Sequence, residues 1–356
     1  MLLCEVALRY VARVYPPEAA PKATRVVLRS GADLAVECLE PPLPAETASR
    51  VFNLVSLYLK EDFLPSILAG ELSGHARFAV WVGRINAEIA GACWIGRGSD
   101  FPDIAVMGGV ATHEAYRGCG IASAVIGQAC RRFDESGGRL LFLGTTNPVA
   151  QHIYEKLGFS HVAGHVFCRA APGARMDEGF VRGRKVSARP ASYRDVAAVV
   201  PLYLFPHASL LLDSRVGLPS IKMAAPWRCV RIFWDLWQSV GSNGQWMVLQ
   251  NDCGWVVASA LASPSVAPDG HSPEFSMDFV WHPGYSMEGR AFVAEFLADV
   301  EKRVNCGCEM RVCRGDGWKS DEAVRLGFEP ADGPGGAVEI EGRRWSLVRF
   351  VRKSKR

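Results

Sequence analysis

Residues 114–126, EAYRGCGIASAVI, place two glycines and a cysteine between a tyrosine-arginine pair and an apolar run. A helix that begins here leaves its first N–H groups unpaired and carries partial positive charge at that end. Glycine lets the backbone turn sharply and lets an anion approach without meeting a Cβ. The chemistry this spacing suggests is a phosphate cradle. A few residues upstream, Gly108 and Gly109 interrupt an apolar run over 103–113. Adjacent glycines in a strand mark a bulge or a close approach by a ligand or another backbone. Cys119, between the cradle glycines, is read as incidental rather than as a reactive thiol. Eleven irregularly spaced cysteines in a long chain point to free thiols in a reducing compartment. Cys306, Cys308 and Cys313 lack paired CxxC spacing, so no metal site is expected.

The elements that must position the cradle follow from periodicity and punctuation. Residues 44–58 and 61–72 read as helices, and 78–96 as two strands joined by a turn around Arg84–Asn86. After the cradle, Ala122, Ile126, Cys130 and Phe133 recur on one helical face, which Gly137-Gly138 ends. LLFLGTT (140–146) reads as a buried strand, and Asn147-Pro148 as an N-cap followed by proline at the first helical position. The order gives an α/β layout with a mixed sheet. Residues 171–186 mix Gly, Pro and charge without periodicity and read as a linker. Beyond it the pattern repeats: Tyr285 follows Tyr116 by 169 residues, and Leu326 of RLGFEP follows Leu157 of KLGFSH by the same 169. Two separate stretches sharing one spacing indicate an internal duplication.

The sequence resembles the GCN5-related N-acetyltransferase (GNAT) superfamily. Arg117-Gly118-Cys119-Gly120-Ile121-Ala122 fits its phosphate motif, Arg/Gln-x-x-Gly-x-Gly/Ala. Asn147, Ala150 and YEKLGF (154–159) fit its second signature in the right order and separation. The likeness covers roughly residues 24–170 well, and 187–350 as a weakened copy. It implies an α/β fold of two tandem GNAT-like domains, each a mixed, mostly antiparallel sheet flanked by helices. The expected domains are 1–170, binding acyl-CoA, and 187–356, degenerate, with 171–186 between them. The resemblance further implies that the N–H groups of residues 117–122 hold the pyrophosphate of coenzyme A. The pantetheine arm would pair near Val110 and Thr112, and Asn147 is a cofactor-binding candidate as well as a helix cap. Val110 N–H would polarise the thioester carbonyl, and Tyr154 would protonate the leaving thiolate. His152 lies on a different helix face from Tyr154 and is not expected to act.

The second copy loses this chemistry. Ser286, Met287 and Glu288 stand where Arg117, Gly118 and Cys119 stand, Ala323 replaces Tyr154, and Asp316 replaces Asn147. One departure concerns the general base. Many family members carry a glutamate on the strand before the cradle, but AVMGGVAT has no carboxylate. Asp103, His113, Glu114 and, from the second half, Asp278 are the candidates. The expected reaction is transfer of an acetyl or other short acyl group from acyl-CoA to an amine of a small molecule. The alternatives are aminoacyl transfer from a charged tRNA on a tandem GNAT fold, and a non-enzymatic acyl-CoA sensor. A net charge of +3 argues against a dedicated nucleic-acid binder, and the basic end RFVRKSKR reads as a solvated tail. The start MLLCEVALRYVARVY is too interrupted by charge for a signal peptide, and no stretch suits a membrane span. A soluble, cytoplasmic protein is expected. Among ten tryptophans, Trp234, Trp237, Trp246 and Trp255 could line a pocket, though core packing explains them as well.

Overall fold

The computed structural model describes residues 23–353 apart from 75, 100, 184, 222–230, 242, 267–272, 305–306, 334 and 341. The expectations for the first 22 residues, for Cys306 and for the end of the basic tail lie outside the described residues.

Strand β1 (Thr24–Val27) pairs antiparallel with β2 (Asp33–Leu39), and β2 with β3 (Ala76–Ile85). Helices α1 (Ala45–Ser56) and α2 (Leu64–Leu68) come between β2 and β3 in the chain. β3 turns into β4 (Glu88–Gly98) through Asn86 and Ala87, whose φ angles are 48° and 68°. Positive φ at both turn residues suits a two-residue hairpin, because the turn then twists with its strands. Polarity alone put Arg84 in that turn. It stays in the strand because its guanidinium pairs with Glu37 of β2 at 3.1 Å.

β5 (Ile104–Thr112) runs parallel to β6 (Leu140–Gly144), and helix α3 (Ile121–Glu135) makes the crossover. α3 buries Ile121, Val125, Ala129 and Phe133 beside Ile126 and Cys130, so the expected stripe is right except that Ala122 lies at its edge, half-buried. Helix α4 (Pro148–Lys156) follows, then β7 (Ser160–Ala163) and β8 (Val166–Ala170), with β8 antiparallel to both β6 and β7. The strand order of this sheet is β1-β2-β3-β4-β5-β6-β8-β7.

The stretch 171–186 is not bare linker. It contains α5 (Glu178–Arg182), and β9 (Val186–Pro190) already begins at its end. Five helical residues are too few to show a period, so the sequence could not announce them. The segment is pinned: the Tyr285 hydroxyl donates to Phe180 O at 3.1 Å, and Asn251 Nδ2 donates to Gly179 O at 2.7 Å. Helices α6 (Asp195–Ala198) and α7 (Val200–Leu204), strands β10 (Leu211–Asp213) and β11 (Leu218–Pro219), and helix α8 (Arg231–Val240) lead into the second sheet. Its strands are β12 (Gln245–Asn251), β13 (Val256–Val266), β14 (Pro273–Trp281), β15 (Gly307–Cys313), β16 (Glu329–Pro330), β17 (Ala337–Ile340) and β18 (Arg343–Arg352). Helix α9 (Ser286–Val304) joins β14 to β15, and α10 (Gly317–Arg325) follows β15. The order is β16-β18-β15-β14-β13-β12-β9, with β17 on β18, and β14–β15 is the parallel pair. The fold is thus α/β, with two mixed, mostly antiparallel sheets flanked by helices.

By Cα proximity the chain divides into two compact units. One takes the described residues up to Gly96, with Met107–Arg139 and Ile153–Leu157; the other takes Arg97–Val106, Leu140–His152 and the chain from Gly158 onward. The first has Leu34, Leu64, Ile67 and Val82 at its centre, and the second has Tyr203, Met277, Phe279 and Trp281. Trp246 and Trp255 belong to this second core, Trp246 donating to Ser259 Oγ at 2.9 Å, so packing accounts for them. No described helix is long and apolar enough to cross a membrane.

Candidate functional site

The cradle sequence forms a short 3₁₀ turn over Glu114–Tyr116, then a four-residue loop, then α3. His113 caps the turn, its Nδ1 accepting from Ala115 N–H at 3.3 Å. In the loop, Gly118 has φ 79° and Gly120 has φ 89°. Only glycine takes this left-handed region at little cost. Alternating it with ordinary backbone turns successive N–H groups toward one side, the arrangement known as an anion nest. A Cβ added at Gly118 or Gly120 would meet no atom within 4 Å, so the space above the loop is open. Cys119 N–H is satisfied by Tyr116 O at 3.4 Å, and Ala124 N–H by Gly120 O at 3.0 Å. The N–H groups of Gly118, Gly120, Ile121 and Ala122 find no protein acceptor among the described residues. Arg117 is exposed at the mouth, with its guanidinium 4.4 Å from the centre of the Tyr58 ring. The loop has open space, unpaired donors and a cation, which fits a pyrophosphate group. Cys119 Sγ lies 3.8 Å from Arg117 O and has no other role here.

Val110 and Thr112, both half-buried, stand at the end of β5 that leads into the cradle. Tyr154 is the one buried residue of α4, at 4 % exposure, and falls in the same unit as the cradle. Asn147 is exposed in the other unit and acts as the expected helix cap, Oδ1 accepting from Val149 N–H at 2.9 Å and Ala150 N–H at 3.5 Å.

The sequence overlooked Glu61. Its Oε1 accepts from Gly109 N–H at 2.9 Å, and its Oε2 accepts from Trp94 Nε1 at 2.9 Å. A carboxylate therefore does stand at the bulge, supplied from the segment before α2 and 48 residues away in sequence. No linear spacing could have signalled it. Of the bases considered from sequence, Asp103 precedes β5 and is about 20 Å of extended strand from Val110. His113 and Glu114 are tied up in, or exposed on, the 3₁₀ turn. Asp278 is closed off altogether: it is 1 % exposed, accepts from Ser214 N–H at 2.7 Å and is ion-paired with Lys319.

Residues 47–159 match the family model described as the Acetyltransferase (GNAT) family. The chain carries a GNAT acetyltransferase domain. Cradle, bulge and Tyr154 all lie inside the matched GNAT segment. No curated protein matches the chain. Solved structures similar to it include a GNAT-family acetyltransferase from Desulfovibrio desulfuricans, 18% identical, covering 38% of this chain and 99% of its own, with a TM-score of 0.33. A ribosomal-protein-alanine N-acetyltransferase from Brucella melitensis is 17% identical, with coverage of 47% and 99% and a TM-score of 0.36. A ribosomal-protein-S18-alanine N-acetyltransferase from Escherichia coli is 16% identical, with coverage of 48% and 96% and a TM-score of 0.35.

The second half repeats the element pattern at the 169-residue spacing. The 3₁₀ turn Pro283–Tyr285 and helix α10 stand 169 residues after the turn Glu114–Tyr116 and helix α4, at both ends of each. His282 caps its turn as His113 does, accepting from Gly284 N–H at 3.1 Å. The cradle itself is not repeated. Helix α9 begins at Ser286 and runs straight through the corresponding loop. Gly289, at the place of Gly120, is helical, and a Cβ there would lie 2.7 Å from Trp281.

Proposed function

We propose that the chain is an N-acyltransferase that moves a short acyl group, acetyl in the first instance, from acyl-CoA to an amine of a small molecule. The observation that carries this is the open nest at Gly118 and Gly120 at the start of α3, within the segment that matches the GNAT family model. In this reading the free N–H groups within residues 117–122, those of Gly118, Gly120, Ile121 and Ala122, hold the pyrophosphate, with Arg117 adding charge at the mouth. Val110 and Thr112 line the pantetheine arm. Acyl-CoA supplies the activated thioester, and the chain orients it. Val110 N–H donates to the thioester carbonyl, where negative charge develops as the amine attacks. The Tyr154 hydroxyl donates its proton to the departing sulfur, while the proton the amine nitrogen loses as the amide forms passes to solvent, from which Tyr154 is reprotonated.

The second half, in the same reading, is a duplicated domain that has given up the cofactor. One chain segment supports this. Ser209 Oγ and Leu210 N–H both donate to Asp316 Oδ2, at 2.7 and 2.6 Å. Lys319 Nζ donates to the carbonyls of Leu211 and Leu212 at 3.0 Å each, and Ser214 N–H donates to Asp278. At the 169-residue spacing, Asp316, Lys319 and Asp278 correspond to Asn147, Ala150 and Gly109. Residues 209–214 thus dock on the counterparts of the Asn147 cap, of Ala150 and of the bulge residue Gly109. Arg290, near the start of α9, is also committed, paired bidentately with Glu322 at 2.8 Å.

The test is a mass-resolved screen of amine acceptors with acetyl-CoA, following release of free CoA. An acetylated primary amine formed at the rate of CoA release is the expected result. Aminoacylation of an acceptor with charged tRNA and no release of CoA, or tight acyl-CoA binding with no transfer to any amine, would replace the proposal.

A further inference from the structure

We propose that Glu61 is a positioning residue that sets the β5 bulge for acyl transfer, an inference that rests on the acyltransferase reading above. Gly109 is buried with φ 59°, so its N–H is turned away from an ordinary strand direction. A buried N–H without a partner is costly, and a bulge persists only where something satisfies it. Glu61 Oε1 does so at 2.9 Å. The other oxygen fixes Trp94 Nε1 at 2.9 Å, and the indole lies against both glycines. A Cβ at Gly108 would come within 2.3 Å of the Trp94 ring, and one at Gly109 within 2.6 Å. The glycine pair is therefore bare because Trp94 fills the space. Phe63 and Phe78 meet Trp94 edge-on, with ring centres at 5.8 and 6.1 Å, and hold it there.

One carboxylate thus spans two N–H donors, one on the bulge and one on the ring that packs against it. The residue after Gly109 is Val110. The Gly109–Val110 peptide is planar and is joined to the clamped N–H only through the φ and ψ of Gly109, so a bulge held at φ 59° sets where Val110 N–H points. Glutamine has one acceptor oxygen and an NH₂ that only donates, so it cannot serve both donors. The clamp needs the carboxylate, whereas the phosphate nest needs neither Glu61 nor Trp94.

That separation gives the experiment. Glu61→Gln, Trp94→Phe and the double variant are assayed with acetyl-CoA and a panel of aliphatic primary amines for kcat and KM, and titrated with CoA for affinity and binding-competent fraction. Trp94→Phe keeps an aromatic wedge and removes the donor, so it serves where Glu61→Gln folds poorly. The expected result is a kcat lowered about tenfold to a hundredfold per binding-competent chain in either variant, with CoA affinity within about twofold. The double variant should be no slower than Glu61→Gln, since both break one linked clamp. An unchanged kcat in Glu61→Gln overturns the inference alone. So does a loss of activity that only tracks the loss of CoA-binding chains. Wild-type protein that acetylates no amine overturns the acyltransferase reading and this inference with it.

Discussion

At the scale of single residues, Tyr154 carries the most specific step of the proposed mechanism. Tyr154→Phe keeps the buried ring and removes only the hydroxyl. General acid catalysis is worth about 10² to 10⁴ in rate, so kcat should fall into that range while acyl-CoA affinity holds. Lost affinity at an unchanged kcat would assign Tyr154 to binding instead. Gly120→Glu acts differently. It places a side chain where φ is 89° and a negative charge beside the nest, so CoA binding should be abolished in a protein that keeps its helical circular dichroism. Gly118, Gly120 and the Asn147 cap were legible in the sequence because local backbone demands select those residue types. Glu61 was not, because its partners Gly109 and Trp94 lie 48 and 33 residues away and only folding brings them together.

At the scale of elements, the cradle and its counterpart differ by one turn of backbone. Two left-handed glycines make a loop before α3, whereas the second half continues as helix α9 from Ser286. The substitutions of Gly118 and Cys119 by Met287 and Glu288 made that loss legible, but the docking of residues 209–214 was hidden, since no motif marks a segment that binds its own fold. The same region gives a pH expectation. His207 is buried, and burial, aided by the charges of His282 and Lys319, lowers its pKa to about 4, with Nε2 2.6 Å from Leu202 O. A depressed histidine is neutral when folded and charged when unfolded, so stability is lost as pH falls from about 6.5 toward 4. The cost reaches about 3 kcal/mol at the lower end. His207→Gln should flatten this dependence in denaturation curves between pH 7 and 4.5. An equal acid slope in variant and wild type would mean that other groups dominate.

At the scale of the whole molecule, the repeated spacing told more than composition did. Tyr116 with Tyr285, and Leu157 with Leu326, foretold matching turns and helices, because equal spacing of core and turn residues reflects equal element lengths. The short helix α5 and the early start of β9 escaped notice, being briefer than any hydrophobic period. The proposed function rests on number: one nest among the described residues, for one cofactor. Calorimetric titration of the full chain with acetyl-CoA tests it most directly, with Gly120→Glu titrated alongside. The expected result is one acetyl-CoA per chain, and none in the variant. Two equivalent sites per chain, or unchanged binding by a folded Gly120→Glu, would contradict it.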